Sequence, residues 1–376
     1  MMRRTAIVCA VLGLTALGCG TARADLVIHG RGFGHGIGMS QYGAYGYALK
    51  GHRSARWILR HYYPGTRLER TRRHLIRVRL RDARRETVLG ASHATDAAGR
   101  RLRLHQNRSY TLSVAGTRLA IRDDSAHRTR ARLQAPVTIS GGRDVYLHGR
   151  ADNGVSGGAY RGRLVMSIAG PRVLAVNKLD IEHYLYGVIT SEMPSGWPFA
   201  ALKAQAIASR TYALGARRAD APYDVFSDVR SQLYRGIRGE SPRAVRAAHS
   251  SSRVVVTYRG RFAQTYFFST SGGRTAAIDQ VWEMPALPYL QPVTDHYDYL
   301  SPFHRWHVRI GTAAAERRLK HHLRGQLVAV DVTARTRVGR VIGIELVGSD
   351  GTTELSGAEF ERLLGLRSIW FWVHGP

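Results

Sequence analysis

Glycine occupies every second position from Gly30 to Gly38, in the run Gly30-Arg31-Gly32-Phe33-Gly34-His35-Gly36-Ile37-Gly38-Met39-Ser40-Gln41-Tyr42-Gly43. Alternating glycines suit a strand or turn that another backbone, or a flat ligand, approaches closely. The run is not a phosphate-binding loop: it lacks the Lys-Ser/Thr pair, and no acid follows at dinucleotide spacing. His35 has two readings, a substrate-facing imidazole or a ring packed against the turn. The row His35, Ser40 and Gln41 is likewise either a sugar-facing polar edge or the lining of a turn.

A second stretch joins chemistry to local structure. Residues Ser191-Glu192-Met193-Pro194-Ser195-Gly196-Trp197-Pro198 lead into Phe199-Ala200-Ala201-Leu202-Lys203-Ala204-Gln205-Ala206-Ile207-Ala208-Ser209-Arg210-Thr211-Tyr212. Pro198 is pre-organised for the first turn of a helix, and the alanine-rich run has high helix propensity. Glu192 stands just before that helix, which carries Lys203, Gln205, Arg210 and Tyr212. An isolated carboxylate between prolines, beside a polar-studded helix, is a candidate general acid/base. The alternative is a loop acid before an ordinary amphipathic helix.

The chain begins with a targeting pattern. Arg3 and Arg4 precede an apolar run from Ala6 to Leu17, and Ala22-Arg23-Ala24 is a small-x-small cleavage site. The run is shorter than a membrane span requires, so residues 1–24 read as a signal peptide and the mature chain as exported, without a transmembrane helix. Ala16-Leu17-Gly18-Cys19 also resembles a lipoprotein box, the alternative that leaves Cys19 lipidated. Both cysteines, Cys9 and Cys19, fall in this segment, so no disulfide and no cysteine metal site is expected in the mature chain. The formal charge of +29 falls to +26 once Arg3, Arg4 and Arg23 are removed. That excess favours a polyanionic surface such as a cell wall, or nucleic acid. No aromatic-basic RNA motif or recognition-helix signature supports nucleic acid, and export argues against it. Only Lys50, Lys178, Lys203 and Lys320 are lysines, so Lys203 stands out on its helix, because the two cations are not interchangeable.

The pattern along the chain is α+β, with a β-rich segment ahead of the helices that flank Glu192. Residues 25–66 combine a short strand (Leu26 to His29), the glycine-rich turn and a helix-like stretch ending near Tyr63-Pro64-Gly65. Residues 67–178 are mostly strands, with β alternation at Leu75–Leu80, Tyr110–Val114 and Leu164–Ile168. Asp180 is an N-cap for a helix whose buried face is Ile181, Tyr184, Leu185 and Val188. Strands are expected at 253–258 and 264–268, a helix at 313–323, and strands at 327–333 and 341–347. The working division is 25–66, 67–178, 179–300 and 301–376 within one large unit.

Other constellations are weaker. Gln232-Leu233-Tyr234 offers amide and phenol donors, or is a strand end. Ser269-Thr270-Ser271-Gly272-Gly273 is a hydroxyl-lined turn without the elbow of a serine nucleophile. The histidines lack metal-site spacing, so no metal and no cofactor is expected.

Several segments together resemble the SpoIID/LytB family. They are Leu179–Val188, Glu192-Met193-Pro194, Ala201–Ala206 with Arg210-Thr211-Tyr212, Gln232–Gly236, Ser269–Thr275, Pro288-Tyr289-Leu290, Gly339-Arg340-Val341, Leu364–Ser368 and Gly34–Ala44. The resemblance implies a SpoIID-like catalytic domain and a sporulation-related lytic transglycosylase. Such an enzyme cuts peptidoglycan between N-acetylmuramic acid and N-acetylglucosamine and leaves a 1,6-anhydro end. The family's catalytic acid falls on Glu192. It implies substrate contacts at Lys203, Gln205, Arg210, Tyr212, Gln232, Tyr234, Ser269, Ser271, His35, Ser40 and Gln41. The glycan strand is the expected partner. The family's alternative role is non-catalytic, a peptidoglycan binder that stimulates a cell-wall amidase. Two departures stand out. The Gly-His-Gly motif comes first here rather than near the C-terminus, which a permuted site tolerates if the termini are adjacent; residues 30–45 should then pack against Glu192. The cysteines that bind zinc in some members are missing.

Overall fold

The computed structural model describes residues 25–375. The targeting segment, with its cleavage site, Cys9 and Cys19, lies outside the described residues. No helix among the described residues is long and apolar enough to cross a membrane.

The architecture is mixed α+β. Its largest element is a ten-stranded sheet built from residues 75–180 together with Val225–Phe226. The strand order runs 225–226, 75–83, 172–180, 156–169, 137–150, 85–95, 110–115, 118–123 and 128–134, with 101–103 paired to 85–95. Leu75–Ala83 shows why the segment forms a strand: Ile76, Val78 and Leu80 are buried while the arginines between them are half-exposed.

The sheet hands the chain to the helices at Asp180. Its carboxylate accepts the Glu182 backbone N–H (2.9 Å) and caps α3 (Ile181–Glu192); two short helices, α1 (Gln41–Leu49) and α2 (Ala55–Tyr62), precede it in the chain. Then comes α4 (Phe199–Gly215), with Pro198 as its N-cap rather than its first helical residue. It is followed by α5 (Pro242–Ser250). Helices α1, α2, α3 and α5 and the strand Val254–Tyr258 all pack on α4. Small side chains at Ala201, Ala204, Ala206, Ala208 and Ala213 permit that close approach, and α4 is buried on nearly every side. An ordinary amphipathic helix was the alternative reading of this stretch; the alanine run instead places α4 at the centre.

A second core lies under the sheet formed by 327–335, 341–348 and 351–356, with α6 (Thr312–Leu319) and α7 (Gly357–Leu364). The strand Leu26–Arg31 joins this core. It is the middle strand of a three-stranded sheet, paired antiparallel with Arg305–Ile310 and with Phe371–His374. Val27 lies opposite His374, so the two ends of the described chain are neighbours.

From that strand the glycine run crosses to the helices. Backbone does approach closely along it: Phe33 bridges Thr270, Met39-Ser40 pairs with Phe267-Phe268, and the Met39 N–H donates to the Tyr266 carbonyl (3.0 Å). Of the strand expected at 264–268, only Phe267-Phe268 pairs as one, because the glycine run offers a partner for two residues. At Gly38, φ is +79° and a Cβ would stand 2.2 Å from the Tyr266 carbonyl oxygen. Gly38→Ala is therefore expected to destabilise the fold by about 1–3 kcal/mol from backbone strain alone, with the clash adding to it. A thermal melt of the purified variant, with Tm unchanged, would refute this.

Candidate functional site

Glu192 is the last residue of α3, and its side chain enters a cleft of about 320 Å³. The cleft is lined by His35, Tyr212, Val229, Arg230, Ser231, Tyr266, Phe267 and Trp282 as well as Glu192. Glu192 is the one carboxylate among these lining residues. Oε1 accepts the Leu233 backbone N–H at 3.0 Å, and Oε2 accepts the Gln41 amide at 3.3 Å. Burial raises the Glu192 pKa above the ordinary carboxylate value, and the two hydrogen bonds partly offset the rise. The group is thus poised to be protonated at a higher pH than a solvated glutamate, while two fixed donors await its anion.

The apolar surroundings come from Tyr212, Tyr266 and Trp282 across the cleft. Trp197, close to Glu192 in sequence, does not line the cleft; its ring packs on Tyr42 and Tyr45 of α1, at 4.9 and 4.8 Å between centroids. Arg230 at the rim is held by Asp228 (2.6 Å) and Asp152 (3.0 Å), with its guanidinium 3.9 Å over the Phe226 ring.

The glycine run reaches this cleft through two side chains. Gln41, at the start of α1, makes the Glu192 contact. The His35 ring lies 4.9 Å from Trp282 and 5.3 Å from Phe268. Its Nδ1 accepts the Ile37 N–H (3.0 Å) and Nε2 meets the Phe267 carbonyl (3.1 Å). That pairing fixes the neutral tautomer protonated on Nε2. Burial depresses the His35 pKa to about 4. The unfolded chain takes up this proton first as pH falls below 6.5, so stability present above 6.5 is lost towards pH 4. His35 is a wall of the cleft, not its acid.

Several residues expected at the site lie elsewhere. Arg210 is fully buried, in a two-pronged ion pair with Glu182 (2.9 and 2.6 Å) and bonded to the Val254 carbonyl (3.0 Å). Gln205 is buried and donates to Ser209 Oγ (3.0 Å). Both follow from the central position of α4, which turns its polar residues into the interior. Gln232 accepts from the Tyr184 hydroxyl and donates to the Ser209 carbonyl, each at 3.3 Å. The Tyr234 hydroxyl donates to Asn177 Oδ1 (2.7 Å). Ser40 caps α1 by accepting the Gly43 N–H (3.0 Å) and donates to Asp298 (3.1 Å). Ser271 donates to Asp295 (2.9 Å). All four are buried, and their polar atoms are committed to holding loops. Ser269 bonds its neighbour Thr270 (3.1 Å), and its carbonyl accepts the Tyr42 N–H (3.0 Å). Lys203 is half-buried and outside the cleft lining, and it makes no hydrogen bond or ion pair among the described residues. Sequence reasoning missed Arg230, Tyr266 and Trp282. The alternation at 264–268 was a signal for Tyr266; Arg230 and Trp282 sit in loops with no periodic pattern.

Residues 169–258, which hold α3, Glu192, α4 and the Leu233 donor, match the family model described as SpoIID, Stage II sporulation protein. That stretch is a SpoIID-family segment. The chain is 34% identical over 139 residues to an uncharacterised protein of Brachyspira hyodysenteriae, covering 36% of this chain and 38% of that one. Stage II sporulation protein D of Bacillus subtilis is 27% identical over 214 residues, 52% of this chain and 61% of its own length. The amidase enhancer of the same organism is 33% identical over 114 residues, 30% of this chain and 15% of its own. The chain therefore spans less than two thirds of each of these relatives.

Proposed function

We propose that this SpoIID-family protein is an exported lytic transglycosylase of the cell wall, cutting the glycan at the N-acetylmuramic acid–N-acetylglucosamine linkage. The observation that carries this reading is Glu192: a single carboxylate on the cleft, with raised pKa and one donor on each oxygen. Two-acid glycosidases need a second carboxylate to activate water or attack the sugar. Formation of an anhydro ring does not. Protonated Glu192 gives its proton to the glycosidic oxygen, and the resulting carboxylate takes the proton of the sugar's own C6 hydroxyl as that oxygen closes on C1. The shorter backbone bond fixes Oε1 as an acceptor, so Oε2, on the longer Gln41 bond, is the oxygen that carries the proton. Tyr212, Tyr266 and Trp282 supply apolar walls for sugar rings.

The test is mass spectrometry of products from glycan strands stripped of stem peptides. Wild type is expected to release anhydro-muramic ends and Glu192→Gln to release none. Their absence with wild type, or persistence in the variant, rejects the mechanism. A second reading rests on the amidase-enhancer relative: the cleft binds glycan and stimulates an amidase without cutting. It predicts no anhydro ends but faster amidase turnover when the two proteins are mixed.

Gln41 gives an independent check. Its amide stabilises the Glu192 anion, so Gln41→Ala raises the pKa of Glu192 further. The alkaline limb of kcat/KM, where the acid form disappears, moves to higher pH, and the rate near the optimum falls about tenfold as the carboxyl loses its fixed position. An unmoved limb would remove Gln41 from the mechanism.

A further inference from the structure

The last four strands in the order of the ten-stranded sheet carry a feature unrelated to the Glu192 cleft. Their inner face is apolar, with Val88, Leu112, Leu119, Ile121 and Leu133 buried. The outer face is set by the register. One row across it reads Arg85, Ser113, Ala120, Arg132, and the next reads Thr87, Thr111, Arg122, Thr129. Small residues thus form a floor between arginines, leaving a trough of about 350 Å³. The Thr87 and Thr111 hydroxyls are bonded to each other (2.8 Å), and Thr111 donates to Asp124 (2.9 Å). Arg85 and Arg132 stand three strand spacings apart, about 14 Å, and Arg122 lies between them.

The charge around this floor is one-sided. Residues 84–134 hold eleven arginines and four acids. Two of those acids, Glu86 and Asp123, are buried and already paired with Arg81 and Arg108; Asp124 is the one carboxylate that lines the trough, where it accepts the Thr111 hydroxyl. Arg85 and Arg132 are exposed and make no ion pair among the described residues. The trough also lies outside the stretch that matches the family model.

We propose that this trough is a binding site for a phosphodiester-linked polyol chain, a glycerol-phosphate or ribitol-phosphate polymer. Arginine forks match phosphate oxygens, and the hydroxyl floor matches a polyol. The trough lining holds no aromatic side chain, whereas single-stranded nucleic acids are gripped by base stacking on aromatics. The site would tether the protein to an anionic matrix while the Glu192 cleft remains open.

The test measures binding of the full purified chain to poly(glycerol phosphate) by calorimetry over a salt series. Three proteins are compared: wild type, R85Q/R122Q/R132Q, and a charge-matched control, R56Q/R60Q/R246Q, altered at exposed arginines of α2 and α5. The trough variant is expected to bind about tenfold or more weakly, with a shallower salt slope because phosphate contacts are lost; the control should bind like wild type. Glycan cutting by the trough variant should be unchanged, which separates this site from the proposed catalysis. Equal losses in both variants would reduce the effect to diffuse charge and overturn the proposal. So would unchanged binding by the trough variant, or single-stranded DNA of matched charge that binds wild type as tightly and is equally sensitive to the trough substitutions. Near-ultraviolet circular dichroism and Tm identify a variant that has not folded; in that case the single changes R85Q and R132Q replace it, each expected to weaken binding, and no weakening from either overturns the proposal.

Discussion

Glu192→Gln is expected to lower anhydro-end formation by roughly 10³-fold or more, since in the proposed mechanism one group serves as both acid and base and each role is worth about 10²–10⁴. The replacement is nearly the same shape. Its amide oxygen can still accept the Leu233 N–H, and rotation of the Gln41 amide by half a turn restores a partner for the new NH2 group. Folding should therefore survive, and the sign of the stability change is informative. In the wild type the pKa of Glu192 is raised by burial, so the folded state holds this proton more tightly than the unfolded chain. Stability falls as pH climbs past the unfolded carboxylate value and levels off above the folded one. Glutamine cannot ionise, so the variant's Tm should equal or exceed that of wild type at neutral pH. A variant that is both inactive and less stable than wild type would mean that Glu192 is a structural acid.

The second large effect is on stability. Arg210→Ala is expected to cost about 3–5 kcal/mol, the usual consequence of removing one partner of a buried ion pair. The guanidinium is fully buried and fills two oxygens of Glu182 and the carbonyl of Val254. Its loss leaves the Glu182 carboxylate with the Arg253 backbone N–H (3.0 Å) alone. Chemical denaturation reads the cost directly. Turnover per folded molecule should stay near wild type, whereas a residue that holds substrate would lose turnover at full stability.

That contrast shows where the sequence was legible. Asp180 and the spacing of Ile181, Tyr184, Leu185 and Val188 located α3 and brought the chain to Glu192, because caps and helical periodicity are local. Strands at 75, 110 and 164 were legible from alternation; the strands at 85–95 and 137–150 were not, since their register shifts interrupt the pattern. Glu192 could be singled out, but the residues around it could not be sorted. On paper Gln205, Arg210 and Tyr212 share one helix. Only the packing of four helices and a strand around α4 decides that Tyr212 faces the cleft and the other two face inward. Gln41 was reachable because glycines at 30–38 demand close backbone approach. Its partner across 151 residues is tertiary information.

The pairing of the chain's two ends carries a consequence for timing. The strand at Leu26–Arg31 comes early in the chain, yet it is the middle member of a sheet whose flanks, Arg305–Ile310 and Phe371–His374, come far later in it. Until they pair, the glycine run is unpinned at that end, and the place of Gln41 rests on α1 packing against α4 and on Met39-Ser40 pairing with Phe267-Phe268. Seating of the early strand is thus a long-range step that waits for its late partners and is slow beside formation of the local helices.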